Sequence, residues 1–174
     1  MAEEDQSRPV TVIVDGANVM GSRAGGWWRD PPAAMARLHG ELEALAAHGV
    51  PGAPPGDDPW SAPGDDPGLA PGPGRPAGDD AGRPDGGSTG AGRWFPRIVL
   101  VVEGKARGAA DLVAPERGVR LVVARGAGDD EIARLAGSTP GRRIVVTADR
   151  ELRRRCQNAG AGVAGPRWLT RLLG

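Results

Sequence analysis

The sequence predicts an α/β fold in which a mainly parallel β-sheet is covered by helices on both faces, and three observations carry that expectation. Short apolar runs rich in Val and Ile recur along the chain without polar alternation, as strands buried on both faces do. Segments with helical spacing lie between those runs. Strand after strand ends in a carboxylate followed by turn-forming residues, a pattern that gathers acids along one edge of such a sheet.

The first element is Val10-Thr11-Val12-Ile13-Val14, a β-branched run that meets Asp15-Gly16 and so reads as a buried strand feeding a turn. A loop through Trp27 and Trp28 leads to Asp30-Pro31-Pro32, where Asp30 can cap a helix and proline fits the first turn. Met35, Leu38, Leu42 and Leu45 then recur at spacings of three and four, an amphipathic helix to about Ala47 that Gly49 and Pro51 stop.

Residues 51–93 are dominated by Pro, Gly and Asp and hold almost no aliphatic side chains, which predicts a disordered insertion. Its repeated unit, as in Pro55-Gly56-Asp57-Asp58-Pro59 and Pro63-Gly64-Asp65-Asp66-Pro67, is read as a solvated acidic linker rather than a metal site, because a flexible chain offers no fixed geometry. The folded domain is therefore expected at 10–50 and 94–174, with 1–9 a flexible N-terminus.

Order resumes with Arg97-Ile98-Val99-Leu100-Val101-Val102, which ends in Glu103-Gly104 as the first strand ends in Asp15-Gly16. A third strand, Val119 to Val123, runs into Gly128-Asp129-Asp130, and Ile132, Leu135 and Ala136 suggest a short helix after it. A fourth, Arg143-Ile144-Val145-Val146, meets Thr147-Ala148-Asp149 and a helix through Leu152 and Cys156. A short strand around Val163 precedes a closing helix from Pro166 to Leu173.

The bulk properties bound the function. A chain of 174 residues suits one domain, and its single cysteine, Cys156, cannot form an internal disulfide. The start is acidic and polar and no apolar stretch nears the ~20 residues that span a bilayer, so the expectation is a cytoplasmic protein without a membrane partner. The formal charge of zero conceals a division. Residues 51–92 hold seven Asp and two Arg, and residues 1–9 hold three acids and one Arg, which leaves 12 acids against 19 bases in the expected folded part. That excess of about seven positive charges suits a polyanion. It is equally compatible with an ordinary basic surface, since 21 of the 22 basic residues are Arg and only Lys105 is lysine, a usage that a GC-rich coding sequence would impose.

Four strand ends deliver carboxylates: Asp15, Glu103, Asp130 with its neighbour Asp129, and Asp149. Any one alone would read as a turn former or helix cap. If the four converge, their repulsion calls for a cation. Oxygen donors without a His or Cys set favour Mg2+ or Mn2+ over zinc, since His39 and His48 sit on a helix far from these ends. Such an ion can hold a scissile phosphate and activate water, which is the chemistry of phosphodiester hydrolysis. Asn18 could orient Asp15 or contact a phosphate, and Thr147 could do the same near Asp149, although both could equally be capping or turn residues.

Val12-Ile13-Val14-Asp15-Gly16-Ala17-Asn18-Val19 resembles the opening strand and Asp-Gly-x-Asn signature of NYN domains, within the PIN-like nucleases and their YacP-like relatives. Gly128-Asp129-Asp130-Glu131-Ile132 and Val145-Val146-Thr147-Ala148-Asp149-Arg150 resemble the third and fourth acidic motifs of that family. The resemblance covers residues 10–50 and 94–174. It implies a three-layer α/β/α fold with strand order 3-2-1-4-5 and a metal-dependent endoribonuclease acting on RNA. Carried over by position, Asp15, Asp130 and Asp149 match the motifs, Glu103 matches less specifically, and Asp129 stays open as the alternative to Asp130. The long connection between the first helix and the second strand departs from the family pattern.

Arg150 is the first choice among Arg150, Arg153, Arg154 and Arg155 for meeting a phosphate, against the alternative of a solvated helix face. Trp27 and Trp28 could stack on the bases of single-stranded RNA or pack down as a hydrophobic lid. Trp168 and Cys156 are expected in the core. No glycine pattern of the dinucleotide or P-loop kind accompanies the first strand, and no Ser and His pairing supports a triad. The rival functions are a non-catalytic domain that binds RNA or protein and a metal-dependent nucleotide phosphohydrolase.

Overall fold

The computed structural model describes residues 9–52, 54–55, 92–114 and 118–174. Most of the expected acidic insertion, and the first eight residues, lie outside the described residues. The elements follow in the order β1 (Val10–Asp15), α1 (Gly16–Gly21), a 3-10 turn (Trp27–Arg29), α2 (Pro31–His48), β2 (Val50–Pro51), β3 (Arg93–Trp94) and β4 (Arg97–Val102). A 3-10 helix (Gly104–Asp111), β5 (Val119–Val123), α3 (Gly128–Ser138), β6 (Arg142–Val146), α4 (Arg150–Asn158), β7 (Gly162–Ala164) and α5 (Pro166–Leu173) complete the chain.

Five strands form one parallel sheet in the order β5-β4-β1-β6-β7. Numbered among themselves along the chain, they read 3-2-1-4-5. The central β1 pairs with β4 on one side, Val14 opposite Leu100, and with β6 on the other, Val14 opposite Val146. With neighbours on both edges and helices on both faces, Val12, Ile13 and Val14 are almost wholly buried, as their uninterrupted apolar run requires. One face packs Val12, Val14, Leu100 and Ile144 against Met35, Leu38 and Leu42 of α2 and Leu169 of α5. The other packs Ile13, Val101 and Val145 against Ile132 and Leu135 of α3 and Leu152 and Cys156 of α4. Because side chains alternate across a strand, one run of β1 feeds both layers. Trp168 and Trp27 pack partly buried against the first of them.

The helix expected from Asp30 forms as α2: the Asp30 side chain accepts the Ala33 N–H at 3.2 Å, Pro31 opens the helix, and Gly49 closes it at φ 75°. The sequence pattern does not announce the shortest elements. The turn after β1 closes at once into α1, and the segment after Glu103 winds into the 3-10 helix, both too short or irregular for apolar periodicity to show. At the two ends of the expected insertion, Val50–Pro51 pairs antiparallel with Arg93–Trp94. The Arg142 guanidinium, at the start of β6, donates to the carbonyls of Pro54 and Pro55 at 3.2 and 3.0 Å. Gly52 donates its N–H to the Gly92 carbonyl. Both roots of the segment 56–91 are thus fastened at the amino edge of the sheet. Among the described residues no helix is long and apolar enough to cross a membrane.

Candidate metal and phosphate site at the carboxyl edge

Every strand of a parallel sheet ends on the same edge, so the turns after β1, β4, β5 and β6 are neighbours. Asp15 closes β1, is 7% exposed, and is held by two groups. One carboxylate oxygen accepts the Asn18 N–H at 3.0 Å and so caps α1, while the other accepts the Thr147 hydroxyl at 2.9 Å. Thr147 Oγ1 also accepts the Asp149 N–H at 3.2 Å, and the Asn18 side-chain oxygen accepts the Ala148 N–H at 3.0 Å. Two links therefore tie the turn after β1 to the turn after β6. Asp149 in turn caps α4, accepting the Leu152 N–H at 2.7 Å. Glu103 reaches from the end of β4 to accept the Gly128 N–H at the start of α3.

These acids are caps and members of one electrostatic cluster together. Burial pushes the Asp15 carboxyl above its ordinary value; the Asn18 and Thr147 hydrogen bonds oppose this, and the charges of Asp129 and Glu103 add to it. Asp129 is also raised, first by burial, then by Asp149 and Glu103, against the opposing charge of Arg155. Asp129 and Glu103 thus act on Asp15, and Asp149 and Glu103 on Asp129, across four turns.

Asp130 stands apart from them. Its side chain is 73% exposed and takes the Arg155 guanidinium at 2.9 Å. Successive residues of a helix point about 100° apart, so Asp129 and Asp130 cannot both face the cluster. Asp129, the alternative that spacing alone left open, is the one whose charge acts on Asp15 and is acted on by Asp149 and Glu103. Thr147, for which positioning an acid and meeting a phosphate were both open, lies deeper. Its side chain is fully buried, so it cannot touch a phosphate, and it acts on Asp15 and Asp149 instead. Asn18 is partly buried with its side-chain oxygen engaged, and Arg150 lies exposed on the first turn of α4. Arg154 pairs with Glu151 and Arg155 with Asp130, which leaves the solvated reading standing for much of that arginine run.

Among the described residues, no three His, Cys, Asp or Glu side chains stand close enough together to cage one ion. The donor chemistry still fits a hard cation that keeps much of its water. Mg2+ is commonly held by one or two carboxylates with waters completing its shell, and Asp15 and Asp129, raised by burial and then by neighbouring acids, are groups a cation would relieve.

Beside Glu103 opens a cavity of about 520 Å3, lined among others by Trp27, Trp28, Pro31, Met35, Lys105 and Arg107. Neither basic residue was singled out from sequence, although Lys105 and Arg107 stand only two and four positions beyond Glu103.

No family model matches the sequence, and no curated protein matches it. The fold is similar to that of Rae1 (YacP) from Bacillus subtilis, in the crystal structure of a point mutant of that protein, with a TM-score of 0.51 at 16% sequence identity. The similarity covers 94% of this chain and 73% of that one, and at such identity it is a likeness of fold.

Proposed function

We propose that this protein is a metal-dependent endoribonuclease, hydrolysing phosphodiester bonds of RNA at the carboxyl edge of its sheet through Asp15, Glu103, Asp129 and Asp149. The observation that carries the reading is that acids from four separate turns stand along one edge of the sheet, with Asp15 and Asp129 raised by burial and by the charges of neighbouring acids, a cost to the fold that a binding-only protein would gain nothing by keeping. The motif resemblance to NYN domains and the fold shared with Rae1 (YacP) support it.

Mg2+ or Mn2+ held by these carboxylates would neutralise their charge and supply Lewis-acid polarisation of the scissile phosphate and of the attacking water. The protein's own part is positioning. Thr147 and Asn18 fix Asp15 and the Asp149 turn relative to each other, and Glu103 fixes the start of α3, from which Asp129 projects. Arg150, one residue beyond Asp149, would meet a phosphate of the bound strand.

The test is incubation of the full chain with a mixed RNA pool in Mn2+, with and without EDTA, alongside single-stranded DNA and nucleoside triphosphates. Internal cleavage of RNA that EDTA abolishes supports the proposal. Triphosphate hydrolysis with intact RNA would make it a nucleotide phosphohydrolase, and RNA binding without any hydrolysis would make it a binding domain.

A further inference from the structure

The cavity beside Glu103 combines three features that belong together only for one kind of ligand. Its lining is mostly apolar, with Pro31 and Met35 from α2 and Ala106 from the 3-10 helix. Trp28 lines it while remaining 65% exposed, whereas its neighbour Trp27 packs against the core. An exposed indole is a poor lid but an available stacking face. Two cations, Lys105 and Arg107, line the same cavity. Arg107 is anchored through Nη2 to the carbonyls of Arg125 and Gly126 at 3.3 and 3.4 Å, and its five-donor fork can still engage an anion. A flat aromatic group attached to a phosphate answers all three.

We infer that this cavity is a nucleobase subsite for single-stranded RNA, in which an unpaired base stacks on Trp28 and its phosphate meets Lys105 or Arg107. The subsite adjoins the acidic cluster through Glu103, which belongs to both, so a strand seated there leads its next phosphate toward Asp15 and Asp129. A double helix keeps its bases stacked on each other and could not offer one to the pocket, so duplex RNA is excluded. The inference rests on the nuclease reading for its substrate class, and it deepens that reading by saying which form of RNA the site accepts.

The experiment measures binding by anisotropy in EDTA, where cleavage plays no part, using a labelled oligoadenylate hexamer and an abasic ribose-phosphate hexamer of equal charge. The wild-type chain should bind oligoadenylate more tightly than the abasic strand. Trp28→Ala should weaken oligoadenylate binding by roughly 5- to 100-fold, and Trp28→Phe should restore most of it. Abasic binding should be the same for all three proteins, which separates stacking from damage to the fold. Equal oligoadenylate affinity for wild type and Trp28→Ala, or an equal loss on both strands, overturns the subsite. A parallel aliquot in Mn2+ reads cleavage: stacking lost with cleavage intact sinks this inference alone, whereas base-dependent binding without cleavage keeps the subsite and sinks the nuclease reading.

Discussion

The hydroxyl of Thr147 donates to the buried carboxylate of Asp15 at 2.9 Å, across 132 positions of sequence, and the same oxygen accepts the backbone N–H of Asp149. One atom thus sets the relation between two acids that belong to different strands. Thr147→Val keeps the shape and deletes the link, leaving a buried carboxylate oxygen without its donor. The expected cost is about 1 to 3 kcal/mol in urea unfolding. Cleavage should fall at least ~10-fold, mainly in kcat with little change in KM, and Thr147→Ser should recover both. A variant with normal kcat would show that the hydroxyl serves folding only.

Asp129 and Asp130 are adjacent in sequence and differ in what they face. Asp129→Asn should lower RNA cleavage by roughly 100-fold or more. Asp130→Asn removes only an exposed pair with Arg155 and should stay within about threefold of wild type in activity and ~0.5 kcal/mol in stability. The reverse ranking in a single-turnover assay would return the site to Asp130.

The raised carboxyl of Asp15 makes a pH prediction for the metal-free protein. The folded state holds this proton more tightly than the unfolded chain, so the stabilisation it brings is complete below the ordinary carboxylate value of about 4 and is lost as pH rises through the raised value. Asp15→Asn escapes that loss. In EDTA its Tm should therefore gain on wild type as pH rises from ~4 and keep that advantage at neutral pH. Added Mn2+ should raise the wild-type Tm and leave the variant nearly unmoved. A Tm difference independent of pH would disprove burial as the cause of the raised value.

Gly16 follows Asp15 for a steric reason. A Cβ there would lie 2.8 Å from the Val101 carbonyl oxygen, 3.0 Å from the Met35 sulfur and 3.2 Å from Leu100 Cδ1. The carbonyl belongs to the paired strand β4 and cannot turn aside, so Gly16→Ala should cost ~1 to 3 kcal/mol. Gly21, at the other end of α1, has nothing within 4 Å of such a Cβ, and Gly21→Ala should be neutral or slightly stabilising. Matched unfolding curves for the two variants would refute the close-packing explanation.

The sheet was legible because buried parallel strands write themselves as unbroken Val and Ile runs, of which Val99 to Val102 and Ile144 to Val146 are examples. That the strand-end acids lie along one edge of the sheet followed from topology. What sequence could not decide was orientation within a turn. Asp129 and Asp130 have the same chemistry, and only the phase of α3 separates them. Thr147 could be read as positioning an acid or as meeting a phosphate, and its burial just beyond the end of β6 is what separates the two. The Trp28 cavity escaped because it joins residues from α1, α2, the 3-10 helix and the β5–α3 turn, a juxtaposition no local pattern encodes.

The anchoring of Pro54 and Pro55 by Arg142, with Gly52 and Gly92 bonded beside them, has a consequence for where a label can be attached. A strand of six residues puts roughly 20 Å between this junction and Asp15. The described chain therefore stops and resumes on the far side of the sheet from the acids. A fluorophore or affinity handle attached at Gly52 or Gly92 would therefore sit about a strand's length from the acids.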